Sequence, residues 1–222
     1  MAGIAVPGKL QRELEPRTTP LLGTITALAF AIEAKDPYTR GHCEEVSWWA
    51  AKIALQVGLS GPEVEDIKLA GIVHDIGKIN VPEDILNKPT LLTAEEFGKV
   101  KRHAAWGAKI LENLKEKRIA RIVRHHHERY DGTGYPDHLQ GEEIPLGARI
   151  VAVAESFHCM VRGSRYKSAR TVEDALAELR RCSGTQLDPR VVLAFLDCLE
   201  THGESPDYCG RGTSSESQPP LN

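Results

Sequence analysis

Ile72-Val73-His74-Asp75-Ile76-Gly77-Lys78 ends an apolar helical run with an adjacent histidine and aspartate, then a glycine and a lysine. Neighbouring residues on a helix diverge by about 100°, so such a pair can grip one metal from two angles or hold two metals between them. Burying an aspartate beside a histidine is costly unless a cation neutralises it. Gly77 can break the helix, and Lys78 supplies a charge just past the break. A lone His-Asp at a helix end is most often a polar pair facing water, so the reading turns on the other histidines.

Working outward, the segment before the pair reads as a helix opened by Pro62 and Glu63 and carried by Val64, Ile67, Leu69 and Ala70. Ahead of it, Leu21, Leu22, Ile25, Leu28, Ala29 and Ile32 share one helical face, and Asp36-Pro37 breaks that helix. Gly41 permits a turn into a second helix that has His42 in its first turn, extends to about Val57 and draws apolar contacts from Val46, Trp49, Ala50, Ile53 and Leu55, with Gly58 as its stop. After Lys78, Val81–Leu86 is a short helical turn, and Thr93 with Glu96 forms a capping box for a helix leading to His103. A helix follows to Leu114. Arg118–Arg124 forms the next, with Ile119, Ile122 and Val123 inward, and runs into His125-His126-His127. A glycine-rich loop, a long apolar helix opened by Pro145, and two closing helices over Thr171–Cys182 and Pro189–Glu200 complete the pattern. No strand alternation and no repeat interrupts it. The economical architecture is one all-α domain over residues 21–201, with 1–20 as a flexible leader or linker and 202–222 as a disordered tail rich in Gly, Ser and Pro.

Composition narrows the function classes. The 222 residues are 41% hydrophobic and 27% charged with a net charge of −3, so no basic field points to a nucleic-acid polymer or a membrane surface. No apolar run is long enough for a membrane span, and no signal-peptide core is present. Five scattered cysteines without CxxC spacing argue for a reducing, cytoplasmic setting and against a disulfide or zinc framework.

Four separated segments put His42, His74, His103 and the His126-His127 pair at helix ends or turns. With Asp75 they offer six donors, too many for one zinc-like site with an open position. Two ions bridged by Asp75 would use them, and a pair roughly 3.5–4 Å apart activates hydroxide for in-line phosphoryl displacement. Any one of these histidines is more often a surface or core residue than a ligand, and the five alone leave both readings open.

Together, His74-Asp75-Ile76-Gly77-Lys78 and His126-His127-Glu128-Arg129-Tyr130-Asp131-Gly132-Thr133-Gly134-Tyr135-Pro136 resemble the HD-GYP subgroup of the HD-domain phosphohydrolases. The likeness extends through the lead-in Asp36-Pro37-Tyr38-Thr39-Arg40-Gly41-His42, the Val81-Pro82 to Lys88-Pro89 link and Ala148-Arg149-Ile150. The resemblance implies an all-α HD-domain helical bundle with a metal centre, and hydrolysis of the bacterial second messenger cyclic di-GMP, or a related cyclic dinucleotide, to pGpG and often GMP. It implies two divalent metals, iron first and manganese as the alternative. One would be held by His42, His74, Asp75 and Glu155, the other by Asp75, His103, His126 and His127. Asp75 and Lys78 take the catalytic roles, and Asp36, Lys78, Tyr135 and Lys167 the substrate contacts. The Gly134-Tyr135-Pro136 loop is, by the same analogy, a docking surface for a diguanylate cyclase domain, and terminal helices could pair into a homodimer.

The chain departs from the family pattern in four places. Glu155 stands for an aspartate ligand and His158-Cys159 for Asp-Ala; Ser164-Arg165-Tyr166-Lys167 replaces Arg-Pro-Tyr-Arg. Arg165 or Arg162 is left to substitute for the first arginine, and Lys167 keeps the second positive charge. Tyr38 occupies the place of a glutamate tied to a third metal, so two metals are expected. His125 is expected to be a solvated neighbour rather than a ligand. These changes leave a second reading open: a degenerate domain that binds metal and nucleotide, or a signalling partner, without efficient hydrolysis.

Overall fold

Apolar periodicity becomes a helical bundle. The computed structural model describes residues 20–34, 41–113, 116–163 and 168–202, with side chains from Gly23 to Thr201. The helices are α1 (Pro20–Glu33), α2 (His42–Gln56), α3 (Gly61–Val73), α4 (Glu83–Leu86), α5 (Ala94–Lys101), α6 (His103–Asn113), α7 (Lys117–His125), α8 (Leu146–Arg162), α9 (Val172–Cys182) and α10 (Pro189–His202), with 3₁₀ turns at Ile76–Asn80 and Gly141–Glu143. Among the described residues there is no strand, only an isolated bridge between Ser183 and Leu187.

The punctuation follows the expected chemistry. Gly41 enters α2 at φ 77° and Gly58 leaves it at φ 80°, conformations that cost glycine little. Ser60 donates backbone N–H and hydroxyl to Glu63, which starts α3. Thr93 and Glu96 exchange their bonds at 2.7 and 3.2 Å, closing the capping box of α5.

The central element is α8, which packs against α2, α3, α7, α9 and α10. Its Ala148, Ile150, Val151, Val153, Ala154 and Phe157 are buried, because a helix surrounded by others must be apolar on more than one face. Trp49 of α2, Phe157 of α8 and Phe195 of α10 meet with centroids 4.8–5.6 Å apart. Such ring pairs contribute about 0.5–1.5 kcal/mol each beyond area burial. Arg149, buried on α8, donates Nε–H to the Ile144 carbonyl at 2.9 Å and pairs with buried Asp188 at the start of α10.

Two expected core contacts are corrected. Leu28 and Leu55 are 39% and 47% exposed. In α1 the buried stripe is Ile25, Ala29 and Ile32, and in α2 it is Val46, Trp49, Ala50 and Ile53; the two leucines lie at the margins of those stripes, beyond the reach of neighbouring helices. Asp36, Tyr38, Leu114, Lys167 with the whole 164–167 stretch, and most of the leader and tail lie outside the described residues.

Candidate metal centre

α3 ends at Val73, and His74 and Asp75 follow in the turn before the 3₁₀ segment. Gly77 is required here for a reason other than helix breaking. A Cβ on it would overlap the His103 carbonyl oxygen and sit 2.5 Å from Gly107 N. Glycine lets the 3₁₀ turn lie directly on the backbone of α6, and that approach brings His103 beside Asp75.

Three imidazoles are aimed by the same device. His74, His103 and His126 each place Nδ1 on the carbonyl three residues earlier, those of Gly71, Val100 and Val123, at 2.8, 2.7 and 2.6 Å. With Nδ1–H donating outward, each Nε2 faces the interior. Asp75 lies between them: Oδ2 is 3.4 Å from His74 Nε2 and Oδ1 is 3.4 Å from His103 Nε2. His42 Nε2 stands 3.2 Å from His74 Nε2, and His103 Nε2 3.4 Å from His126 Nε2. The His127 ring packs 4.0 Å from that of His126 and 5.0 Å from that of His103. Potential donor atoms fall into the groups His42–His74–Asp75, His103–His126–His127 and His42–Glu155–Cys159, each within 4.8 Å. The structure therefore brings together His42, His74, Asp75, His103, His126, His127 and Glu155, along with Lys78.

Charge is unevenly spread. Burial, reinforced by neighbouring imidazoles, holds His42, His126 and His127 well below the ordinary histidine value. Burial brings His103 down to about 4 against the pull of Asp75. His74 is the exception: burial opposes its charge, but the adjoining Asp75 carboxylate lifts it to about 9. Burial opposes ionisation of Asp75, yet Lys78 and His74 keep it ionised far below the usual carboxylate range. Lys78 Nζ donates to Asp75 Oδ2 at 2.6 Å, which holds the ammonium charged despite burial. Burial raises Glu155, with His74 opposing and Asp75 adding to the rise.

The donor set suits divalent metal. Asp75 Oδ1 is buried without a hydrogen-bond partner, a state that is expensive unless something cationic meets it. Imidazoles with inward-facing Nε2 and a carboxylate between them are ligands for first-row divalent ions once the ring is deprotonated.

The loop after α7 closes one side. Gly132 has φ 79°. Gly134 does not need a positive φ; a Cβ there would overlap Arg129 N and sit 2.5 Å from Glu128 Cα. Arg129 binds Asp131 and Thr133, fixing the loop's shape. Tyr135 lies 5.0 Å from the His127 ring at 32°, with Lys101 Nζ 5.1 Å over it. His125 is buried rather than solvated: it bonds the Arg121 carbonyl at 2.8 Å and Asp137 at 2.9 Å, away from the donor groups. A cleft of about 570 Å³ is lined by His126, His127, Glu155 and Cys159; a second, of about 1130 Å³, shares Ser156, Cys159, Gln186 and Leu187 with it.

Sequence reading treated His158 only as a departure from pattern. The structure buries it with Nδ1 2.8 Å from His42 Nδ1. Its spacing of three from Glu155 on one helix was the available signal, since such residues share a face.

With this geometry in hand, the likenesses to known proteins are informative. The family described as HD domain matches residues 26–191. A cyclic di-GMP phosphodiesterase response regulator of Xanthomonas campestris pv. campestris is 42% identical over 199 residues, covering 88% of this chain and 52% of that protein. A cyclic di-GMP phosphodiesterase of Thermotoga maritima is 41% identical over 179 residues, covering 79% and 49%. A 3'3'-cGAMP-specific phosphodiesterase of Vibrio cholerae is 35% identical over 174 residues, covering 77% and 33%. The chain thus spans about half the length, or less, of these relatives. In fold it is similar to the crystal structure of a cyclic GMP-AMP-specific phosphodiesterase from V. cholerae, with a TM-score of 0.64 at 21% identity over 82% of this chain and 49% of that one.

Proposed function

The chain belongs to the HD-domain family, and from that premise we propose that it is a metal-dependent phosphodiesterase of the HD-GYP subgroup that hydrolyses cyclic di-GMP to pGpG, GMP or both. One observation carries this reading: Asp75 turns one oxygen to His74 Nε2 and the other to His103 Nε2, each at 3.4 Å. A carboxylate so placed can join two cation sites.

In this reading His42, His74, Asp75 and Glu155 hold one divalent ion, and Asp75, His103, His126 and His127 hold the other, with iron preferred and manganese the alternative. Bound ions supply Lewis acidity to the phosphodiester and acidify the attacking water. The protein's own groups do the rest. Lys78 stays protonated, so it can stabilise charge on a phosphoryl oxygen but cannot act as a base. Burial keeps the Tyr135 phenol protonated, available to flank a nucleobase beside the first cleft. The two clefts share one wall of α8, which gives a cyclic dinucleotide a path along that helix; Asp36 and Lys167 are assigned to substrate binding from the family likeness alone. We take residues 21–201 as the domain and the cytoplasm as its setting, in keeping with the thiols of Cys43, Cys159 and Cys182. A diguanylate cyclase domain docking on the Gly134-Tyr135-Pro136 loop and a homodimer through terminal helices rest on the family likeness alone.

The complete imidazole set and relatives named as phosphodiesterases favour turnover over a degenerate binding domain. The test is anaerobic purification, metal analysis, and incubation of iron- or manganese-loaded protein with cyclic di-GMP, 3'3'-cGAMP and cyclic di-AMP. Release of pGpG or GMP is expected, with cyclic di-GMP cleaved fastest. Tight binding without product under either metal would establish the degenerate reading instead.

A further inference from the structure

His74, His103 and His126 are latched by main-chain carbonyls three residues back. His42, the first residue of α2, is held differently. Its Nδ1 meets Nδ1 of His158 at 2.8 Å across 116 residues of chain, and both rings are buried, at 5% and 3% exposure. Its other nitrogen, Nε2, faces His74 Nε2 at 3.2 Å.

Two ring nitrogens at hydrogen-bond distance share one proton: two N–H groups would repel, and two lone pairs would bond nothing. If His42 Nε2 is to meet a cation it must be bare, so the neutral ring carries its hydrogen on Nδ1. That hydrogen can only be accepted by a His158 whose Nδ1 is bare and whose hydrogen sits on Nε2. We infer that His158 is a positioning residue: it accepts Nδ1–H of His42 and holds the His42 Nε2 lone pair toward His74 and Asp75.

The inference rests on the two-cation reading of the centre. It gives α8 two duties one turn apart, Glu155 as a ligand and His158 as the latch of another ligand. It also fixes the electrical cost, since an uncharged acceptor leaves this half of the centre without the charge that a carboxylate would add there.

Two measurements test it. Long-range ¹H–¹⁵N correlation spectra of the metal-free wild-type protein should show His42 as the Nδ1–H tautomer and His158 as the Nε2–H tautomer; the reverse assignment, or a doubly protonated His158, overturns the inference. Competition titration with a chelator then compares His158→Asn, which keeps an acceptor near the Nδ1 position, with His158→Leu, which has none. Loss of an outer hydrogen bond weakens metal binding by roughly 10–100-fold, so His158→Leu should lose that much for one of two ions while His158→Asn stays within about 3-fold. Equal losses in both variants, or none in His158→Leu, would show that His158 only fills space. If His158→Leu does not fold, the tautomers still decide. If the wild type binds no metal, the proposed function fails, and the spectra still report whether the latch exists.

Discussion

The two halves of the centre are built on different plans. The His103–His126–His127 half comes from α6 and the end of α7, successive in the chain; His103 leans on a carbonyl in the last turn of α5 and His126 on one in α7. Its imidazoles are all held below the ordinary histidine value, so they are neutral near pH 7 and ready to ligate. The His42–His74–Asp75 half draws on α2 and the end of α3, with Glu155 and His158 added from α8. It also carries the charge: the Asp75 carboxylate lies between the raised His74 and the Lys78 ammonium. The family pattern is kept in the locally built half. It is altered at Glu155 and His158, where side chains on a separate helix reach in and can be exchanged without rebuilding the ligand-bearing turns.

Asp75 reaches an imidazole of each half with a separate oxygen, and removing it should have the largest effect. Outer-shell losses cost about 10–100-fold in metal affinity, and Asp75→Ala should exceed that for both ions and abolish product formation; an Asp75→Ala protein that keeps one tight ion would show that the halves bind independently. Gly77→Ala attacks the same junction through the backbone. A methyl directed at the His103 carbonyl must push the 3₁₀ turn off α6, with an expected loss of about 3 kcal/mol in urea unfolding. A loss below about 1 kcal/mol would mean that the turn relaxes without cost.

Titration sharpens the contrast. His74 at about 9 lies above its ordinary 6.5, so its contribution to the metal-free fold is complete below pH 6.5 and is lost as pH rises through about 9. His103 and His158, both near 4, act oppositely: the unfolded chain takes up their protons first, so stability falls as pH drops below 6.5. Thermal melts of the metal-free protein should therefore decline from neutrality toward pH 9, and a flat profile there would remove His74 from the charged half. Metal binding at pH 7.5 should release about one proton, drawn from His74; calorimetry in buffers of different ionisation enthalpy measures it.

Glu155→Asp should have the smallest effect. If the longer side chain misplaces its oxygen, shortening it raises turnover, by up to about 10-fold given that 1 Å of misplacement can cost 10²-fold. A fall would show that α8 stands too far from the centre for aspartate to reach.

Much of this architecture was legible from residue order. Gly41 and Gly58 bracket α2, Thr93 with Glu96 opens α5, and the histidines were found at the ends of the right helices. Leu28 and Leu55 were misplaced because one-dimensional periodicity locates a stripe but not its width. Gly77 was read as punctuation, whereas it and Gly134 are each needed where two backbones nearly touch. His125 was wrongly placed in solvent, since Asp137, twelve residues on, folds back over it.

Ligand chemistry belongs to side-chain type, and helix starts and stops belong to neighbours a few residues apart, so the all-helical class and the inventory of potential donors could be read from the chain alone. Which way each donor points could not. The division of Asp75's two oxygens, the seat of the 3₁₀ turn on α6 and the pairing of His42 with His158 arise where remote segments pack against one another. No local pattern records those contacts, because the free energy that selects them comes from burying the surfaces of different helices together.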